Sequence, residues 1–517
     1  MKSTVLRCLL LAVSALSCQL LRAQSPASAV VKLDPTEGSP FNGGVFEGWG
    51  TSLCWWANRI GYSDKLTDAA VDAFFDAEKG LGLNVARYNI GGGDDPRHRH
   101  ITRSDSNMPG FAQPILSPSG DFEVDDDGIV IYEYDWDRDK NQMNVLAKIL
   151  ARNPDTLVEA FSNSPPYFMT WSGCSSGGRG EHKDNNLRPE YAAPFAEFLA
   201  DVVKHFRDDL HIRLNSIEPF NEPSSGFWGA NSNKQEGCDF KDNKLKSEVI
   251  LSLDKALRKR GVRDGVLLAV TDETSMDLAI DVYKALSPAA KKAADRINTH
   301  SYSGSRRKEM MNLANAEKKH LWMSEVDGVG NVGGQAAGDM ASPLWFAERV
   351  IADMNGMRPS AWVIWQVIDR HRSDFSAAER ANTSLAGGYW GLGIADHYTE
   401  KLLLGKRYYA FGQFTRYIRP GDRIIASSPS TLAAWNRESG RIVLVATNGT
   451  GSERPLAVDL SAFPSIPADA ARAIRTSGPV NAGENWNEDI APVPIRDKRF
   501  SVRLAPYSIT TFVIAKP

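Results

Sequence analysis

The sequence predicts a (β/α)₈ TIM barrel followed by a small β-sandwich domain. Between Phe46 and Gln366, short apolar runs alternate with amphipathic stretches of helical period, the pattern of repeated βα units. Eight such runs are present, the strand number of a closed parallel barrel. Beyond Arg419 and Pro420 the texture changes to short alternating strands separated by turn signals, as in an antiparallel β-domain.

Taken in chain order, the first segment is MKSTVLRCLLLAVSALSCQLLRAQ, in which Lys2 and Arg7 precede an apolar run that ends in small and polar residues near Ala23. That is the form of a cleaved export signal, so residues 1–24 are read as a signal peptide and the protein as secreted or periplasmic. Residues 25–45 contain SAVVKLDP, a segment expected to add a strand to the distal β-domain and so make it discontinuous. The barrel is assigned to residues 46–418. Its strands are expected at FEGWGTS, LNVARYNIGG, TLVEAFSNSPP, LNSIEPFNEP, GVLLAVTDE, RINTHSY, HLWMSEVDG and AWVIWQ. Helices are expected at DAAVDAFFDAEKGLG, QMNVLAKILARN, YAAPFAEFLADVVKHF, KSEVILSLDKALRKRG and PLWFAERVIADMNG, whose apolar residues recur three and four apart. Residues 419–517 form the β-domain, with strands at RIVLVATNGTG, PLAVDLS and RFSVRLAPYSITTFVI.

Composition narrows the function. A chain of 517 residues, 42% hydrophobic and 24% charged, can bury more than one core. A net charge of -3, with acids and bases interspersed, provides no footprint for nucleic acid or an anionic membrane. The nine histidines show no metal-ligand spacing, and Asp125 to Asp127 read as a solvated turn. No run after the signal is long and apolar enough to span a bilayer. Neither a metal nor another cofactor is expected, and a monomer is. Removal of the signal leaves Cys54, Cys174 and Cys238, and an oxidising compartment permits one disulfide among them. Cys174 with Cys238 is the favoured pair, because both fall in neighbouring loops of the expected barrel.

The stretch NSIEPFNEP holds Glu218 and Glu222, each followed by proline. Glycoside cleavage commonly uses two carboxyl groups, about 5 to 5.5 Å apart for retention and roughly 6.5 to 9.5 Å apart for inversion. Four residues of extended strand separate these two by roughly 13 Å, so they are not one pair. Glu222 falls at the C-terminal end of the fourth strand, where barrel chemistry takes place, and Glu218 is read as a buried carboxylate held by neighbours. The partner comes from HLWMSEVDG, whose Glu325 ends the seventh strand. A lone strand-end glutamate reads as a cap in an ion pair; two at strand ends four and seven of one barrel read as a functional constellation.

At this point the sequence resembles a known family. The Asn221–Pro223 NEP on strand four and Glu325 on strand seven look like the acid/base and nucleophile of retaining glycosidases built on (β/α)₈ barrels. FEGWGTSLCWWA, RYNIGGG and SNSPPYFMTWSG are similar to glycoside hydrolase family 30, and within it the GWGTSLCWWA form is similar to endo-β-1,6-galactanases. The closing SITTFVI matches the family's side β-domain. The resemblance implies a secreted retaining hydrolase of β-1,6-galactan, such as side chains of arabinogalactan, with Glu325 as nucleophile and Glu222 as acid/base. Asn221 resembles the family's donor to the hydroxyl next to the anomeric carbon, and Arg87 is expected to keep the nucleophile ionised. Two other readings stay open: hydrolysis of another β-linked glycan such as β-1,6-glucan, and a catalytically silent carbohydrate-binding protein.

Aromatic residues at strand ends are the remaining signal, since sugar rings pack their CH faces on aromatic planes. The candidates are Trp49, Trp55, Trp56, Trp171, His300, Tyr302 and Trp365, with Trp56, Trp171 and Trp365 favoured as subsite walls. Asn163, closing strand three, is a candidate hydroxyl ligand. The Gly91–His100 loop is expected to shape one end of the cleft, or else to be a solvated loop. GCSSG at Gly173 to Gly177 fits the serine-hydrolase formula, but loop-forming residues follow it where that motif requires a helix. The glycines at Gly91 lack the spacing of a dinucleotide site and read as a tight turn.

Overall fold

Eight parallel strands close into a barrel: β1 (Gly48–Ser52), β2 (Val85–Asn89), β3 (Leu157–Phe161), β4 (Ser216–Glu218), β5 (Leu267–Ser275), β6 (Arg296–Ser303), β7 (His320–Glu325) and β8 (Ala361–Ile364). The computed structural model describes residues 30–95, 101, 106–178, 185–228, 235–328, 340–372, 390–479 and 481–516. The signal segment and residues 96–100 of the Gly91–His100 loop lie outside the described residues. Strand order around the barrel follows the chain, and β8 closes on β1 in a register running from Ala361 with Gly48 to Ile364 with Thr51. β1, β2, β4 and β8 are buried at every position, which explains why strands of this kind read as continuous apolar runs. Each of the eight expected runs overlaps one of these strands, with β5 and β6 running one or two residues past theirs.

A helix follows each strand: α1 (Asp64–Phe74), α2 (Lys140–Arg152), α3 (Ala192–Asp208), α4 (Asn243–Lys259), α5 (Met276–Ala285), α6 (Arg307–Ala316), α7 (Ala341–Gly356) and α8 (Lys406–Thr415). α3 shows why the period predicts them: Phe195, Phe198, Leu199, Val202, Val203 and Phe206 form one buried stripe against the sheet. Each such side chain contributes ~1.5–3 kcal/mol by leaving water. Side-chain caps fix several starts: Ser63 accepts the Leu66 N–H at 3.2 Å, and Asp242 accepts the Lys244 N–H at 2.7 Å. α5, α6 and α8 have no counterpart among the expected helices. α6 buries only Met310 and Ala314, too short a stripe to show a period, and α8 is buried at every residue but Tyr409.

The distal domain is two packed sheets. One runs in the order Arg423–Ile425, Thr431–Trp435, Ile442–Asn448, Ser508–Ile514, Ala470–Ser477, Glu484–Asn487. The other contains Val30–Lys32 pairing in parallel with Arg454–Asp459, which pairs with Arg499–Leu504. Val31, Leu444, Leu456, Phe500 and Phe512 meet between them. α8 joins this domain to the barrel: Lys406 Nζ donates to the Ser477 and Glu484 carbonyls, and the Trp486 indole donates to the Tyr409 carbonyl at 2.7 Å.

The disulfide expectation is corrected. Cys54, Cys174 and Cys238 are all buried free thiols. Cys174 Sγ donates to the Ser176 carbonyl at 3.1 Å. Among the described residues no helix is long and apolar enough to cross a membrane.

Candidate active site

At the C-terminal mouth of the barrel, β2, β5, β6 and β7 and the loop after β4 deliver five ionisable groups to one point. Glu325 is the last residue of β7. Its Oε1 accepts the Tyr302 hydroxyl at 2.9 Å, and its Oε2 accepts an Arg87 N–H at 3.3 Å. His300, two residues before Tyr302 on β6, donates from Nδ1 to Glu222 Oε1 at 3.1 Å and lies 3.5 Å from Glu325 Oε1. Carboxylate oxygens of Glu222 and Glu325 and a ring nitrogen of His300 all lie within 4.8 Å of one another. Sequence reasoning on strand ends four and seven expects this meeting, and the fold delivers it.

Glu222 sits in the left-handed region, φ 48°, a conformation a non-glycine residue adopts only when its surroundings hold it. Three contacts do so. Its N–H donates to the Asp272 carbonyl at 2.8 Å, and its carbonyl accepts the Trp228 indole at 3.0 Å and the Ser225 N–H at 2.9 Å. Arg87 is fully buried and spreads its guanidinium over three carboxylates: Nε to Glu159 at 2.9 Å, Nη2 to Asp272 at 2.5 Å and Nη1 to Glu325. The Phe161 ring lies 4.1 Å beneath it. Such a fork is planar and always charged, which suits it to fixing carboxylates in place.

The electrostatics follow from burial and these contacts. Burial alone would push the His300 imidazole down, but Glu325 and Asp272 outweigh it and hold the ring up at about 10, so both ring nitrogens carry protons at neutral pH. Burial raises Glu325 to about 7; His300 and Arg87 oppose the rise, and Glu222 adds to it. Asp272 resists its burial because Arg87 and His300 face it, and it is held at about 2. Glu218, also fully buried, is pushed well above the usual carboxylate range, first by burial and then by Asp272. Neither of its oxygens makes a close hydrogen bond among the described residues, while Arg87 and the Phe220 N–H oppose the rise; it is a buried acid of the barrel interior. Glu222, His300 and Glu325 could present three ligand atoms to a cation, but a protonated imidazole has no lone pair to offer.

A cleft of about 910 Å³ opens over this pair, lined by Trp55, Asn163, Asn221, Phe227, Tyr302, Trp365, Gln366 and Trp390 among others. Asn221, next to Glu222, has a buried amide oxygen with no partner among the described residues. Asn163 lines the wall and donates to Cys54 Sγ at 3.4 Å. Trp365 is a wall residue, as expected, and packs edge-on against Trp55 at 5.0 Å. Two expectations are corrected. Trp56 begins a short helix, Trp56–Ile60, which turns its ring into the core against Phe74, so Trp55 takes its place in the cleft. Trp171 is 45% exposed on the loop after β3 and does not line the cleft. Trp49 is core, packed against Phe411 and Trp362. Ser175 is buried, with its hydroxyl donated to the Gly93 carbonyl, which removes it as a nucleophile.

With this geometry in hand, comparison with known proteins is decisive. Residues 42–281 match the family model described as O-Glycosyl hydrolase family 30. The chain is 30% identical to an endo-β-1,6-galactanase of Hypocrea rufa, over 97% of each chain. The chain belongs to O-glycosyl hydrolase family 30. This family 30 chain is also 24% identical to an exo-β-1,6-galactobiohydrolase of Bifidobacterium longum, over 92% of its own length but 38% of that protein's. The solved catalytic domain of a family 30 xylanase C from Talaromyces cellulolyticus shares the fold with a TM-score of 0.67 at 17% identity, covering 94% of this chain and 100% of that one. The protein is therefore an O-glycosyl hydrolase acting on a glycan.

Several residues of this family 30 site escape sequence reasoning. Asp272 lies within GVLLAVTDE, and its place near a strand end was the available signal. Ser324, whose hydroxyl donates to Asp272 Oδ1 at 2.6 Å, adjoins Glu325. Trp390 tilts over Tyr302 at 6.0 Å and follows residues 373–389, which lie outside the described ones; no pattern marks it. Glu236 is buried, raised to about 8 chiefly by that burial, and accepts the Asn89 amide and the Gly92 N–H, both at 2.7 Å, behind Asn163.

Proposed function

We propose that the protein is an exported retaining hydrolase of β-1,6-linked galactan. The observation that carries the mechanism is the pair itself: carboxylate oxygens of Glu222 and Glu325 lie within 4.8 Å of one another. That proximity favours the roughly 5 Å spacing of retaining enzymes over the wider spacing of inverting ones. In the first step a Glu325 oxygen bonds to the anomeric carbon as the glycosidic C–O bond breaks, and the Glu222 carboxyl gives its proton to the departing oxygen. In the second, Glu222 takes a proton from water, the water oxygen bonds to the same carbon, and the ester bond to Glu325 breaks. Arg87, Tyr302 and His300 all touch Glu325, whereas His300 is the one cation among the described residues that touches Glu222, so nucleophile and acid fall naturally to Glu325 and Glu222. Asn221, whose amide oxygen has no partner among the described residues, is placed to bond the sugar hydroxyl beside the anomeric carbon.

The substrate reading rests on the two relatives, whose names both specify β-1,6-linked galactose. The N-terminal sequence supports export. Proton NMR of the anomeric products from de-arabinosylated arabinogalactan tests both halves. Newly formed β-anomer is expected, mutarotating to α; first-formed α-anomer, or no release from β-1,6-galactan while β-1,6-glucan is cut, contradicts it.

A further inference from the structure

Asp272 touches Arg87, His300, Ser324 and the Glu222 backbone, groups that hold the two glutamates, and its side chain is buried. Its Oδ2 lies 2.5 Å from Arg87 Nη2. Its Oδ1 accepts the Ser324 hydroxyl at 2.6 Å and lies 3.2 Å from His300 Nε2. Its backbone carbonyl accepts the Glu222 N–H at 2.8 Å. Arg87 and His300 then reach Glu325, His300 also reaches Glu222, and Ser324 is the residue before Glu325. Four separate connections therefore run from one residue to both members of the pair. Its side chain is fully buried, so none of them passes through substrate.

The backbone is bent to make this possible. Thr271 and Asp272 lie at φ 85° and 42°, and the pairing of β5 with β6 slips between Thr271 and Glu273. A bulge of this kind re-aims side chains that strict alternation would send to opposite faces. Asp272 consequently points into the barrel beneath the pair, and Glu273 turns to Ser224, whose hydroxyl it accepts at 2.7 Å, on the Glu222 loop.

We propose that Asp272 is the positioning residue of the hydrolytic pair, holding His300 through Nε2 so that its Nδ1 sits between Glu222 and Glu325, and fixing Arg87 against Glu325. This rests on the retaining reading given above. The titratable groups that face Asp272 are Arg87 from β2, Glu218 from β4, His300 from β6 and Glu325 from β7, with Glu159 of β3 behind Arg87. Arg87 and His300 are its direct contacts, so removing its charge takes support from both cations.

Asp272→Asn separates charge from shape. Asparagine tolerates the left-handed backbone, its single amide oxygen can still accept from either Arg87 or Ser324, and the carbonyl that holds Glu222 is untouched. Expected are a fall in kcat of about 100-fold or more with KM within about 3-fold, the pattern of a contact that matters in the transition state. By NMR, the His300 imidazole, held at about 10 in the native enzyme, is expected to titrate at least about one unit lower in the variant. Ser324→Ala, which releases Asp272 Oδ1 and a longer contact to the Thr299 carbonyl, is expected to lower kcat by about 3- to 10-fold with KM unchanged. A wild-type kcat in either variant, or an unmoved His300 titration in Asp272→Asn, overturns the inference. Glu325→Gln run alongside separates the two failures: if it stays active the retaining reading fails, and if it is dead while Asp272→Asn is normal only the role of Asp272 fails.

Discussion

Replacing His300 with glutamine removes the one cation among the described residues that both glutamates share. Nδ1 lies 3.1 Å from Glu222 and 3.5 Å from Glu325, and the site is buried. At an effective dielectric of about 20, a unit charge 3.5 Å away interacts by ~4.7 kcal/mol, about 3.5 pH units. Asp272 offsets part of that charge, so the expected effect is about 1 to 3 units, the usual range for a close opposite charge. The sign is set by which form the cation favours. An imidazolium stabilises carboxylates, so its loss raises the apparent pKa values of the pair, and the singly protonated pair then prevails at higher pH. Glu325 stands at about 7 in the native protein, so the acidic limb of kcat/KM is expected to move from near neutrality into the alkaline range, carrying the other limb with it. Initial rates on a galacto-oligosaccharide between pH 4 and pH 10, at constant ionic strength, read the shift directly. A profile that moves to lower pH, or one that loses height without moving, refutes the reasoning.

Three further outcomes are expected. Tyr302→Phe removes the 2.9 Å donor to Glu325, and a hydrogen bond to a charged group is worth ~1.5–3 kcal/mol, so kcat/KM should fall about 10- to 100-fold in steady-state assays. Trp55→Ala and Trp56→Ala should part company: the first is expected to raise KM for oligosaccharides, and the second to leave KM alone while costing ~3–5 kcal/mol in denaturant unfolding, as loss of a core tryptophan does. Titration of denatured, unreduced mature protein with a thiol reagent should find Cys54, Cys174 and Cys238 all reactive; one reactive thiol would mean a disulfide forms after all.

The fold was legible wherever burial leaves a simple mark. Parallel strands covered on both faces read as apolar runs, so all eight could be placed, and α3 could be placed because its stripe repeats over the whole helix. α8 escaped because a helix buried all round shows no period. In the site, Glu222, Glu325, Arg87, His300 and Tyr302 followed from one rule, that barrel chemistry gathers at strand ends. Asp272 obeys the same rule, but in VTDE the alternation of a regular strand does not say which polar residue points inward, and the bulge that decides it has no signature in the letters. Trp55 and Trp56 differ only in which of them starts a helix. Boundaries at that scale are set by tertiary contacts and are not written in local composition.

Covalent trapping tests the central claim most directly. Incubation with an activated 2-deoxy-2-fluoro β-galactosyl donor, followed by proteolysis and mass spectrometry, should find the sugar esterified to the peptide containing Glu325, with activity lost in step with labelling. A label on any other residue, or an enzyme that turns over β-1,6-galactan yet never accumulates an adduct and releases inverted product, would contradict the account.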